Sequence, residues 1–105
     1  CKTQNIVFMH NNTINAAIQL VPLAKRNEAF LTIDKAIAAI QRSGLLYEVG
    51  GFETNIEGSY NDVMKLFNEV CEVANQGGNE FLVYLKLHVH PQENLSAEEK
   101  LRKFK

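Results

Sequence analysis

The stretch SGLLYEVGGFETNIEGSYNDV, residues 43–63, decides the fold because it joins two strands and a helix with little intervening chain. Residues 45–49 are largely apolar and predict a strand, Gly50 and Gly51 predict a bend, and residues 52–56 predict a partner strand. So short a connection suits antiparallel neighbours. Ser59 with Asp62 three residues later is typical of a helix N-cap, so a second helix follows the hairpin directly.

Upstream of this stretch, the sequence predicts one strand and one helix. Residues 13–22 alternate in polarity with the period of a strand, which Pro22 closes. After a polar turn at residues 25–28, Thr32 is the expected N-cap of a helix whose apolar residues recur at helical spacing until Gly44.

Downstream, the second helix is predicted to end at Gly77 and Gly78, and residues 81–90 alternate as a last strand. Ser96 is the expected cap of a short C-terminal helix over residues 97–104, whose acidic start and basic end suit the helix dipole.

The resulting order, βαββαβ plus a terminal helix, predicts an α+β, ferredoxin-like fold. Four antiparallel strands would form one sheet, with two helices on one face. A chain of 105 residues is expected to form one domain, which we assign to residues 13–105, with residues 1–12 as an N-terminal extension of uncertain origin.

Charge, apolar runs and cysteine content disfavour several classes of function. Eleven basic against twelve acidic residues give a net charge of −1, which disfavours general nucleic-acid binding. The longest apolar runs are far shorter than the roughly 20 residues that span a bilayer. Two distant cysteines, Cys1 and Cys71, form neither a disulfide framework nor a zinc motif, so we expect a reducing, cytoplasmic location and no membrane partner.

The sheet face opposite the helices is predicted to mix polar and apolar side chains. Gln19 lies on it from the first strand, and Lys86 and His88 from the last, beside Leu82 and Tyr84. A face covered only by water would be uniformly polar. We therefore expect a ligand or a second subunit on this face, and self-association into a homodimer or homotetramer through the sheet.

Motifs for catalysis are weak. His88 and His90 lie two apart on the predicted strand and could share a metal ion, but two histidines are half a site. Cys71 has no histidine beside it and is expected to pack as a small hydrophobe. Since no nucleophile elbow, phosphate-binding loop or paired-carboxylate motif occurs, we expect a protein that is not an enzyme and has no cofactor.

The segment GGFETNIEG, residues 50–58, has the composition of a binding loop. Its glycines allow close approach of a ligand, Thr54 and Asn55 offer hydrogen bonds, and its carboxylates favour a neutral or cationic ligand over a phosphate. The alternative is that the glycines only shape a hairpin bend and the spacing to the Ser59 cap.

Three segments together resemble the small thiamine-binding protein family: IQLVPLA (residues 18–24), the 43–63 stretch, and LKLHVHP (residues 85–91) ahead of NLSAEEKLRKF. The resemblance covers residues 13–104, and its most specific piece is the T-x-x-E-G pattern of Thr54, Glu57 and Gly58. It implies a ferredoxin-like fold, sheet-paired dimers or tetramers, and non-covalent binding of thiamine or hydroxymethylpyrimidine without known catalysis.

The resemblance also implies site residues. It places Thr54, Glu57 and Gly58 at the pocket and adds Thr32, near a helix start where the family often has Ser or Thr. Two departures are Ala24 and Glu53, both where the family usually has glycine, and Glu53 changes the space and charge beside Thr54.

Three hypotheses stay open at this point. The first is a binding protein for thiamine or its pyrimidine precursor, in which Glu57 pairs with the amino-pyrimidine or balances the thiazolium charge. The second is a structural or regulatory oligomer without such a ligand. The third is a small metal-dependent or cofactor-free enzyme that uses His88 and His90 on the open sheet.

Overall fold

One antiparallel sheet with two helices on one face forms the fold. The computed structural model of the protein describes residues 12–95. Its elements are, in chain order, β1 (Thr13–Pro22), α1 (Arg26–Arg42), β2 (Leu46–Val49), β3 (Thr54–Ser59), α2 (Tyr60–Gln76) and β4 (Phe81–His88). The strands lie in the order β2-β3-β1-β4, and every neighbouring pair is antiparallel. This arrangement confirms the predicted ferredoxin-like fold.

Two predicted regions lie outside the described residues. They are the C-terminal helix over residues 97–104 with its Ser96 cap, and the N-terminal extension up to residue 11.

The central strand β1 is buried on both of its faces. Ile14, Ala16 and Ile18 point to the helices and are at most 5% exposed. They pack in one core with residues of β3 and of both helices: Ala36, Ile40, Ile56, Val63, Leu66 and Val70. Burial of each large aliphatic side chain stabilises the fold by about 1.5–3 kcal/mol, so this layer between sheet and helices supplies the main driving force.

Helix α2 begins and ends as predicted. The Ser59 side chain accepts a hydrogen bond from the Asp62 backbone N–H at 3.2 Å, which satisfies one of the unpaired donors of the first turn. Gly77 caps the other end. The first helix stops where expected too, since Gly44 follows it with a φ of +80°, a conformation that favours glycine.

The predicted start of α1 was wrong. The helix begins at Arg26, its N-cap is Lys25, and no side chain caps it. Thr32 lies inside the helix, buried, and its hydroxyl donates to the Glu28 carbonyl at 3.1 Å. Residues 25–28 are polar, which is why their sequence predicts a turn. Arg26 stacks over the Phe30 ring, and such a contact one turn along a helix supports this extra turn.

Two strand boundaries also differ from the prediction. The Gly50 N–H donates to the Glu53 carbonyl at 2.9 Å, which closes the turn and delays the start of β3 to Thr54. Residues 54–58 are therefore strand, and only residues 50–53 of the predicted loop form the turn. At the other end, β4 stops at His88. His90 follows it and accepts a hydrogen bond from the Gln92 N–H at 3.2 Å.

Neither of the helices found between residues 12 and 95 combines the length and apolar character needed to cross a membrane.

A leucine truncation should locate the core. Leu66 is 1% exposed, whereas Leu31 on α1 is 60% exposed. Leu66→Ala is expected to lower the free energy of unfolding by about 2–5 kcal/mol, because it leaves a cavity. Leu31→Ala, the same chemical change on the surface, should shift it by about 0.5 kcal/mol or less. Urea denaturation measures both, and equal losses would contradict this placement of the core.

Candidate ligand-binding site

The open face of the sheet is organised in cross-strand rows. Directly paired residues on neighbouring strands point to the same side of a sheet. One row across all four strands consists of Leu46, Glu57, Asn15 and His88, and the next consists of Glu48, Asn55, Ala17 and Lys86. Polar and charged side chains from four separate stretches of sequence thereby meet on one surface.

These two rows form the floor and walls of a cavity of about 490 Å³. Pockets for small ligands usually measure about 300–1,000 Å³. Its lining consists of Asn15, Ala16, Ala17, Leu46, Tyr47, Glu48, Glu53, Asn55, Ile56, Glu57, Lys86, Leu87 and His88. Three carboxylates and one lysine are among them, so the cavity favours a neutral or cationic ligand.

Asn15 is the unusual member of the lining. It sits in the central strand, and only 8% of its surface is exposed. Its Nδ2 is buried and, among residues 12–95, is the buried side-chain nitrogen or oxygen that has no hydrogen-bond partner. A buried polar group left without a partner costs about 1–3 kcal/mol. Groups of this kind are rare in folded proteins and mark a strained or functional position.

An ion pair crosses the face at the edge of the second row. The Lys86 Nζ lies 2.9 Å from the Glu53 Oε1, with the lysine side chain 68% exposed and the glutamate 30% exposed. Glu53 belongs to the β2–β3 turn and Lys86 to β4, so the pair spans β1. The turn that carries Glu53 needs glycine at position 50, because a Cβ there would come within 2.9 Å of the Glu53 carbonyl oxygen.

Half of the predicted site residues meet at this cavity. Asn55, Glu57, Lys86 and His88 all line it. Gln19 lies on the same face, paired with Tyr84 one row beyond the cavity lining.

The other predicted residues lie elsewhere. Thr54 is 8% exposed and faces the helices, where it lines a smaller cavity of about 150 Å³. Gly58 also faces that side, and a Cβ there would lie 3.1 Å from Leu45, so its role in the structure is close packing. Thr32 is buried in α1 beside Gly77. Thr54 and Glu57 cannot share one face of the sheet, because three residues along a strand reverse the side.

Sequence reasoning missed Asn15 and Glu48 as cavity residues, whereas it named Glu53 as a residue that changes the space and charge of the site. Asn15 carried a signal, since asparagine is uncommon in the middle of an apolar strand. Nothing local marked Glu48, which joins the others only through the register of β2 with β3.

Features for metal or thiol chemistry are weak in the part of the chain that the structure describes. No three His, Cys, Asp or Glu side chains within residues 12–95 are grouped to hold a metal ion. His90 lies beyond the end of β4, and its Nδ1 accepts the Gln92 N–H, so that nitrogen already has a partner. Burial raises the pKa of the Cys71 thiol, which disfavours the reactive thiolate.

Residues 16–105 match the family described as thiamine-binding protein, which is most of the chain. The chain belongs to the thiamine-binding protein family. This confirms the resemblance drawn from the sequence and supports a role in thiamine-class chemistry.

Solved structures of similar proteins agree with the fold of this family member. A domain of unknown function from Bacillus cereus is 28% identical, with a TM-score of 0.82 over 90% of this chain and 92% of that one. A Streptococcus pneumoniae protein is 32% identical, with a TM-score of 0.75 over 86% and 98% of the two chains. A Thermotoga maritima protein, described as a candidate thiamine biosynthesis/salvage protein, is 26% identical, with a TM-score of 0.78 over 89% and 99%.

In this member of the thiamine-binding protein family, the unpartnered Asn15 amide is expected to lower the free energy of unfolding. Asn15→Leu keeps the branching and number of side-chain heavy atoms and removes the buried donor, so it is expected to raise the free energy of unfolding by about 1 kcal/mol. Asn55→Leu makes the same change at an exposed position of the same face and should shift it by about 0.5 kcal/mol or less. Urea denaturation without ligand measures both. A destabilised Asn15→Leu variant would mean that the amide is satisfied in the folded protein.

Proposed function

We propose that this chain binds thiamine or a related pyrimidine, such as hydroxymethylpyrimidine, non-covalently and without catalysis, in the open-face cavity. The observation that carries the proposal is the buried, unpartnered Asn15 amide in the floor of that cavity. Family membership supplies the class of ligand.

The chemistry of the lining suits such a ligand. An amino-pyrimidine offers a donor and an acceptor side by side, and an asparagine amide complements both. Glu57 lies beside Asn15 in the same row, where a carboxylate favours an amino group or a thiazolium cation. Apolar area comes from Leu46 and Ala17, against which an aromatic ring can pack.

The same face supports the proposal of sheet-paired self-association. Leu46, Leu82 and Tyr84 lie on it and are 70%, 45% and 51% exposed. Leu82 and Tyr84 are neighbours on this face of β4, and exposed apolar side chains of this kind favour an interaction site. A second subunit would cover Leu82 and Tyr84 and narrow the mouth of the cavity. These exposed side chains also favour the second candidate, a structural or regulatory oligomer without a thiamine-class ligand.

Calorimetry with purified protein tests the binding function. We expect saturable binding of thiamine and hydroxymethylpyrimidine. Asn15→Leu should weaken the affinity by about two- to tenfold, because a ligand hydrogen bond is lost. Thr54→Val changes the opposite face of the sheet without changing side-chain volume, and should leave the affinity unaltered.

Two results would count against this proposal. Absence of saturable binding at millimolar ligand would favour the oligomer without a ligand. A weakened Thr54→Val variant beside an unaffected Asn15→Leu variant would place the ligand in the smaller cavity between sheet and helices.

Light scattering tests the oligomer. We expect a mass of two or four chains of 11.9 kDa each. Leu82→Glu places a charge in the proposed interface and should release monomers, whereas Leu31→Glu on the exposed side of α1 should not. A wild-type protein that stays monomeric at high concentration would reject sheet pairing.

A further inference from the structure

We propose that Glu53 is a specificity-determining residue, which makes the cavity select unphosphorylated ligands over their phosphate esters by occupying Lys86. The inference rests on the proposed function and concerns the same cavity. Neither family membership nor the fold determines whether the cavity prefers the unphosphorylated ligand or its phosphate ester.

Lys86 lines the cavity and is the side chain there that carries a permanent positive charge at neutral pH. It would be the natural partner of a phosphate group. Its Nζ instead lies 2.9 Å from the Glu53 carboxylate. A phosphate ester must either displace Glu53 from Lys86 or bind beside a carboxylate, and both routes lower its affinity.

The position of Glu53 is fixed by the turn that carries it. The Gly50 N–H donates to the Glu53 carbonyl at 2.9 Å, and the glutamate side chain is only 30% exposed. The partner, Lys86, is 68% exposed and flexible, so the glutamate sets where the pair forms. An ion pair between partly exposed groups is weak, which limits the expected discrimination to about two- to fivefold from pairing alone.

Glu48 provides a matched control. It lines the same cavity and carries the same charge, but Lys86 pairs with Glu53. Glu48→Gln therefore removes one negative charge from the site and leaves the ion pair in place. Glu53→Gln removes one negative charge and releases the lysine.

The experiment compares thiamine with thiamine monophosphate by calorimetry on the wild type and both variants, at low and high salt. We expect the wild type to prefer thiamine, Glu53→Gln to reduce that preference by about two- to fivefold, and Glu48→Gln to reduce it less. At high salt, about 0.5 M, exposed charges are strongly screened. The difference between Glu53→Gln and the wild type in their preference for thiamine should therefore be smaller there. Equal effects of the two variants would overturn the assignment, since bulk charge would then explain the preference.

A second measurement decides the role of Glu53 whether or not thiamine binds. Titration with inorganic phosphate, followed by the backbone amide NMR signals of Lys86 and His88, should shift these signals in Glu53→Gln and leave them in place in the wild type. Identical titrations would overturn the inference. Failure of thiamine to bind, with a phosphate response confined to Glu53→Gln, would reject the proposed function and keep the role of Glu53 as the group that blocks anions.

Discussion

The strict alternation of side chains along β1 is the constraint on which the rest of this structure depends. Ile14, Ala16 and Ile18 point to the helices and form the core, while Asn15 and Ala17 point the other way and form the cavity floor. Because the period of a strand is two, a slip of one residue in the pairing of β1 with β3 or β4 would exchange the two sets. The stability of the fold and the chemistry of the site therefore depend on the same register.

The Asn15 amide in the cavity floor is expected to lower the stability of the folded protein. An apolar residue at position 15 would suit a buried central strand better than an amide whose Nδ2 has no partner. Natural proteins tolerate such costs where a polar group serves binding. The core on the other side of the sheet, with Ile56, Leu66 and Val70 almost fully buried, is large enough to offset it.

The fold could be predicted from the sequence because its signals are local. Alternation marked β1 and β4, Ser59 marked the start of α2, and the short connection at Gly50 made β2 and β3 neighbours. The start of α1 was missed because a helix turn with polar residues and no side-chain cap resembles a loop in sequence. The site was predicted in part, since Lys86 and His88 followed from strand periodicity. Glu48 could not be found this way, because its meeting with Asn15 depends on the registers of β2, β3 and β1 across the sheet. The family resemblance places Thr54 in the site, but the strand turns its side chain to the helices.

The edge strand β2 has a consequence for how the cavity opens. It has only four residues, all exposed, and among the described strands it pairs with β3 alone. Regions with little burial open at a free energy well below that of global unfolding. The backbone amides of β2 will therefore exchange with solvent long before those of β1, which is paired on both sides. Leu46 and Glu48 move with β2, so one wall of the cavity belongs to the part of the sheet that opens most readily, and the cavity can widen on that side while the central strands stay intact.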